Sequence, residues 1–547
     1  MHSKMRKLVT LLAAGLALAD AANTQSSSQP ASLNGIESAY ADFNDASGAI
    51  GLIESGLRDS YQGKTRSEWV RLKQQARADM QRGLKNLAGR DLSPADRRAI
   101  DIMRKSMADA DESRSLAPRG KCEDAQRKDI EYAALREALY ACFGALSNSL
   151  DFEGRKVTRV GAFDLLTRMN EPERRKKLFL QFVPLWQSIN GKSERDSPYR
   201  RVIAMAAERG RTEGTAIDAA AKTVGASTSE VENWLVQILD AWRKANDGDP
   251  MEPWDYRYRG GATERELGDS IAREALQPIN ARFYRDLGAP LNAWNVIYDL
   301  DPRPGKAPLA YTDYIKRGRM RNGKWQPTLV RVSGNYARGG LGLINELVHE
   351  NGHVVHMMAL RTRPAFMDLG DPLFYEAFAD VPSWSTYEPA WQQKYLGRSS
   401  AEDSSLRTLY SNVMLDVAWA LFELRMLRGP TQDPNVVWTE ITHRYLNVIP
   451  HPELSWWLVR VQLVDSPGYM VNYGLGAVVT ADIRQRIASQ LGPFDTGNER
   501  WFSWLSHNLL SSGQTHETAE LLRGFLGRPV SPQALLTEIG RMQKRKN

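Results

Sequence analysis

The sequence predicts a mainly α protein with one small antiparallel β-sheet, and three features of its patterning carry that expectation. Apolar residues recur at three- and four-residue intervals through 66–88, 94–112, 124–147, 171–190 and 228–246. Between 290 and 340 the texture changes to short β-branched and aromatic runs broken by Pro and Gly. From 341 to the end the helical pattern returns.

The N-terminus comes first in order. Lys4, Arg6 and Lys7 precede an apolar run from Leu8 to Ala19 that ends in small residues. This reads as a secretory signal peptide over 1–19, too short for a comfortable membrane span. Residues 20–35, rich in Ser, Gln and Asn, read as a disordered leader. The expectation is a secreted or periplasmic protein with no stable membrane insertion once the signal is removed.

Residues 36–245 then form an N-terminal helical part and 246–547 a second part. Chain length alone suggests about two to four domains, and a continuous helical architecture with one deep groove accounts for it equally well. The helices lack a fixed repeat period, and they suit either a bundle or a channel wall. Cys122 and Cys142, the only two cysteines, are compatible with one bridge in an oxidising compartment or with two buried free thiols.

The charge balance excludes one class of function. The net charge of +7 arises from 72 basic and 65 acidic residues without a long basic block. Short clusters such as 174–177 and 317–321 read as solvated faces, so no nucleic-acid partner is expected.

In the strand-like stretch, 295–300 (NVIYDL) and 328–333 (TLVRVS) read as the two strands of the sheet. Pro302, Pro304, Gly305, Gly318 and Gly323 break the chain between them.

The chemistry concentrates directly after this sheet. Residues 345–356 read NELVHENGHVVH, which contains His349-Glu350-Asn351-Gly352-His353. Histidines four apart on a helix share one face, and zinc accepts imidazole nitrogen while tolerating three protein ligands plus water. Glu350, beside the first histidine, is offset from the metal and suited to act as a general base toward water. Three of the eight histidines fall in this segment, and Leu347, Val348, Val354, Val355 and Met357 surround them. An apolar setting makes unpaired polar groups costly, so a partner for these imidazoles is expected.

Acidic residues follow in 371–383, DPLFYEAFADVPS. Asp371 before Pro372 is a helix start, and it places Glu376 and Asp380 one turn apart on one face. One carboxylate can bind zinc while the other accepts a hydrogen bond from a ligand histidine and sets its tautomer.

These motifs resemble two families of zinc peptidases whose third ligand is a glutamate, the thimet oligopeptidase and angiotensin-converting enzyme families. HENGHVVH at 349–356 resembles the oligopeptidase HEFGHxxH, and FYEAFADV at 374–381 resembles the converting-enzyme FHEAIGDV. PWDYRY at 253–258 and YDLDPRPGK at 298–306 resemble oligopeptidase segments upstream of the metal helix. GYMVNYGLGAVVTAD at 468–482 resembles the helix that bears the catalytic tyrosine in both. The recognisable part runs from about 250 to 490.

The resemblance implies a large helical ellipsoid with a deep substrate channel that admits short peptides. It implies zinc held by His349, His353 and Glu376, with Asp380 behind them. Alignment on the oligopeptidase VExPS segment puts Asp380 in the ligand position instead; the longer converting-enzyme match favours Glu376. It implies Glu350 as general base and Tyr473 as oxyanion donor, with Tyr469 as a substrate contact. Both families carry a histidine shortly before that tyrosine. Here Val461 and Leu463 occupy the region, and the nearest candidates are His451 and His443. Trp456, Trp457 and Arg460 resemble a converting-enzyme WWxxR segment and read as packing residues.

The function expected is therefore a secreted zinc metallopeptidase of the peptidyl-dipeptidase or oligopeptidase type. The rivals are a carboxypeptidase or amidohydrolase on the same scaffold, and a peptide-binding protein without activity. An intact Glu350 argues against the last, because a purely structural site has no use for it.

Overall fold

In the computed structural model, residues 33–542 are described, apart from 88, 116–120, 247, 304–305 and 307–308. The expected signal peptide and residues 20–32 of the leader lie outside them. The leader reading extended too far at its C-terminal end, because a helix begins at Leu33 and spans Leu33–Glu54. Ile36, Tyr40 and Phe43 are buried along it, so its apolar face starts the fold.

Helices dominate the described chain. Thr65 and Glu68 form a reciprocal cap at the start of Arg66–Asn86, and Ser227 and Glu230 do the same for Thr228–Ala245. The 171–190 pattern forms three pieces, Pro172–Phe179, Leu180–Phe182 and Val183–Asn190. Pro184 lies at the last junction, where its missing N–H suits the first turn of a helix. One large core cluster draws side chains from Ala125 through Met542, so the two parts of the chain share it. Cys122 and Cys142 are joined as a disulfide, tying a short 3₁₀ turn to the helix Tyr132–Ser147.

The sheet beside the metal-motif helix departs from the expected antiparallel pair. Val296–Asp299 and Leu329–Ser333 are neighbours, but they run parallel, in register from Val296 opposite Val330. The antiparallel partner of Leu329–Ser333 is a third strand, Tyr311–Lys316, on its other side. The physical reason lies in the connection. A parallel pair needs a crossover of about a dozen residues or more, and residues 300–328 supply it with a strand and a hairpin, Arg319–Arg321 with Lys324–Gln326. The surrounding Pro and Gly, and the lack of strict alternation in YTDYIK, hid the third strand.

Two basic clusters read as solvated faces also prove partly internal. Arg175 is buried, ion-paired to Asp255 at 2.7 Å, with its guanidinium 4.1 Å from the Tyr258 ring centre. Arg317 pairs with Asp368, which also accepts a hydrogen bond from Tyr40, so the N-terminal helix is fastened to the sheet region.

Candidate metal centre and cavity

Four segments build the site. The helix Leu341–Ala359 carries the HExxH residues and is buried along most of its length. It enters through Gly340, whose φ of +132° belongs to glycine. Tyr298, from the sheet, donates a 2.7 Å hydrogen bond to Asn351 and braces this helix against the strands. The helix Pro372–Ser383 packs across it, and Asp371 caps its start by accepting from the Leu373 N–H at 2.9 Å. The third segment is the strand Tyr311–Lys316, and the fourth is Val471–Leu491, which carries Tyr473.

The two facing helices bring His349, His353 and Glu376 together, with one potential ligand atom from each lying within 4.8 Å of the others. His349 Nε2 is 3.4 Å and His353 Nε2 4.0 Å from the same Glu376 oxygen, Oε2. A tetrahedral ion with bonds of about 2.0–2.1 Å needs donors roughly 3.3 Å apart, so this set fits zinc after small side-chain adjustments. The donor chemistry, two imidazoles and one carboxylate, also suits zinc. Asp380, one turn from Glu376, hydrogen-bonds His349 Nδ1 at 2.7 Å, the far nitrogen of that ring. It thereby directs Nε2 at the donor cluster. Ser383 donates to the same Asp380 oxygen at 3.1 Å.

Electrostatics agree with this arrangement. For His349, burial alone favours the neutral ring, but Asp380 and Glu376 outweigh it and raise its pKa. A cation other than a proton would meet the same attraction. His353 is pushed down to about 3, by burial and then by His349, so it stands neutral with its lone pair available. Glu376 is held below its ordinary value; burial opposes this, but the His349 hydrogen bond and both histidines prevail.

Glu350 is 5% exposed and faces the sheet strand. Thr312 donates through Oγ1 to its Oε2 at 2.7 Å. Burial pushes Glu350 up to about 7, against the pull of His349 and Thr312. Thr312 was missed at the sequence level because its strand was missed.

All these groups open onto one cavity of about 1060 Å³. Its lining includes the N-terminal helix at Asn44, the strand at Thr312, and Tyr375, Asp416, Arg460, Gln462 and Tyr473. Tyr473 also borders a smaller pocket with Glu376 and Asp380, which places its ring beside the donor cluster. Its hydroxyl receives a 3.4 Å hydrogen bond from Gln462. Tyr469 lies one turn before, its ring 5.8 Å from that of Tyr473, and it interacts with Tyr375 rather than lining the cavity itself. His451 sits elsewhere, between Glu252 at 2.7 Å and Glu453 at 2.6 Å, and outside the cavity lining. His356 is buried and packs edge-on to Phe374 and Phe378, which accounts for the third histidine as a core residue. Of the WWxxR segment, Trp456 and Trp457 are core residues, whereas Arg460 reaches the cavity wall.

No protein-family model matches the sequence, and no curated protein matches it. Solved structures do match by fold. One is an M32 carboxypeptidase from Deinococcus radiodurans R1, at 16% identity, covering 93% of this chain and 98% of that one, with a TM-score of 0.53. Another is a protein named CHT, at 15% identity, covering 94% and 99%, with a TM-score of 0.58. Over nearly its whole length, then, the chain is similar in fold to a carboxypeptidase, and at these identities the likeness is one of fold.

Proposed function

We propose that this protein is a zinc-dependent peptidase acting on short peptides within the cavity. The observation that carries the reading is the convergence of His349, His353 and Glu376 beside a buried, Thr312-bonded Glu350. His349, His353 and Glu376 would hold the metal, and Asp380 would orient His349. Zinc bound there would supply Lewis acidity toward a peptide carbonyl and an attacking water. Glu350 takes the proton from that water and later delivers it to the leaving amine. Tyr473 donates its hydroxyl proton in a hydrogen bond to the developing oxyanion. A cavity of about 1060 Å³ has room for a short stretch of peptide.

The motif resemblances favour a peptidyl-dipeptidase or oligopeptidase. A carboxypeptidase reading stands beside it, favoured by the fold likeness to the M32 carboxypeptidase. We also propose export from the cytoplasm, supported by the signal-like N-terminus and by the Cys122–Cys142 disulfide, since such bonds persist in oxidising compartments.

The test pairs metal analysis with peptide hydrolysis. Purified protein should contain about one zinc per chain, lose activity on chelation and regain it with zinc. Glu350→Gln should retain the metal and lose most turnover, because it removes the base without removing a ligand. Full activity without metal would end the zinc reading. Mass spectrometry of the products separates release of single residues from release of dipeptides or internal cleavage.

A further inference from the structure

We propose that Arg159 and Arg460, with Arg257 close behind them, form an anion subsite in the cavity wall that holds the C-terminal carboxylate of a peptide. This rests on the peptide-cleaving reading above and deepens it by naming what positions the substrate.

The three guanidiniums come from separate parts of the chain. Arg159 is the first residue of the helix Arg159–Arg168, Arg257 lies on the short helix Tyr256–Gly260, and Arg460 lies in the loop before the tyrosine helix. Phe163 joins two of them: the Arg257 guanidinium lies 3.8 Å from its ring centre and that of Arg159 lies 5.4 Å away. Arg460 packs 5.0 Å from the ring centre of Trp419 and 5.8 Å from that of Tyr473. Contact with a ring face leaves the edge N–H groups of a guanidinium directed sideways, available to an acceptor.

Charge is under-compensated here. Arg460 is paired with Asp416 at 2.7 Å, yet its Nε is buried without a hydrogen-bond partner. Neither Arg159 nor Arg257 forms an ion pair with a carboxylate among the described residues. Glu264 acts on Arg257 only at longer range and accepts instead from Tyr387 at 3.3 Å. Three cations therefore share one paired acid. Burial, and then mutual repulsion with Arg460, lowers Arg159 and Arg257 to about 10, still charged at neutral pH. All three are half-buried; an uncompensated charge partly withdrawn from water is costly, and a bound anion offsets that cost.

Position decides which anion. Arg159 and Arg460 line the same cavity as Glu350 and Glu376, and Tyr473 is close both to Arg460 and to the donor cluster. A planar carboxylate matches the guanidinium fork, and every unmodified peptide carries one at its end. A substrate anchored there extends past Tyr473 toward Glu350.

The test uses two N-blocked peptides identical except for a free or an amidated C-terminus. Binding is measured by calorimetry on zinc-loaded Glu350→Gln protein, which does not consume the peptide. The free acid should bind about 10- to 100-fold more tightly, as expected of charge-assisted hydrogen bonds. Arg159→Gln, introduced in the same background, should erase most of that preference while circular dichroism stays unchanged. Equal affinity of acid and amide, or no detectable binding of either, overturns the subsite. A preference that survives Arg159→Gln overturns it too. Equal affinities that both rise with added sodium chloride mean an inorganic anion only, which also overturns the assignment. Hydrolysis of the same pair by the parent protein tests the peptidase reading separately: intact binding preference with no turnover sinks that reading and leaves the subsite standing.

Discussion

Replacing Gly352 by alanine places a methyl group between the two helices that carry the proposed metal ligands. A Cβ at this position would lie 2.7 Å from Cα and 2.9 Å from the carbonyl oxygen of Ala379. Ordinary contact between carbon atoms begins near 3.5 Å, so the helices must part by roughly 0.8 Å. Gly352 sits immediately before His353, and Ala379 lies between Glu376 and Asp380. The shift therefore separates ligands on one helix from those on the other, where metal sites tolerate about 0.2 Å. Backbone atoms, not a side-chain tip, are in the way, so rotamer change offers no relief. We expect zinc affinity to fall on the order of 10- to 100-fold, as for loss of supporting groups. Overpacking should cost about 1–3 kcal/mol in stability. Gly144→Ala is the matched control: it lies within the helix Tyr132–Ser147, and its Cβ would meet nothing within 4 Å. It should be neutral or stabilising by up to about 1 kcal/mol. Zinc dissociation constants come from competition with a chromogenic chelator, and stability from denaturant unfolding. Parental zinc affinity in Gly352→Ala would refute the claim that helix spacing sets the ligand geometry, whatever happens to stability.

Three further outcomes are expected. Glu376→Ala should lose zinc more severely than Asp380→Ala, whose loss should be about 10–100-fold; the reverse order of dissociation constants would make Asp380 the ligand. Tyr473→Phe should lower kcat about 10²–10³-fold with little change in KM, and weakened KM at constant kcat would make it a substrate-binding group instead. Glu423 is fully buried and accepts from the backbone N–H groups of Gly468 at 2.9 Å and Met470 at 2.7 Å, just before the tyrosine helix. Burial raises its pKa from 4.5 to about 8, so the stability that its protonated form contributes is complete below pH ~4.5 and is lost as pH rises through about 8. Glu423→Gln, neutral throughout, should thus gain on the parent by on the order of a few kcal/mol between pH 5 and 9, read as denaturation midpoints; a difference independent of pH would remove the titration argument.

Residues within each of two short segments were legible because their spacing is itself geometry. Histidines four apart must share a helix face, and Asp371-Pro372 is a helix start, so His349 with His353, and Glu376 with Asp380, could each be placed on one face from order along the chain, while the choice of Glu376 as ligand came from the family resemblance. The helical class followed for the same reason, since a 3.6-residue period is local. Non-local facts were not legible. The sheet's parallel pairing depends on where the chain goes between 300 and 328, and Thr312 could not be found while its strand was hidden among Pro and Gly. Arg175 looked like part of a solvated basic run, yet Asp255, 80 residues later, receives it in the interior.

His451 and Arg460 exchange significance in the fold. The histidine was the natural candidate by residue type, and the structure engages it with Glu252 and Glu453 away from the cavity. Arg460 looked like packing beside two tryptophans, and it faces the cavity. Nothing within a few residues of either could say so. The amino-acid sequence by itself determined the candidate donor set, because residue type and helical spacing are properties of neighbouring residues. Only the tertiary structure decided which charges surround that chemistry, because burial and partnership are set by segments that meet from opposite ends of the chain.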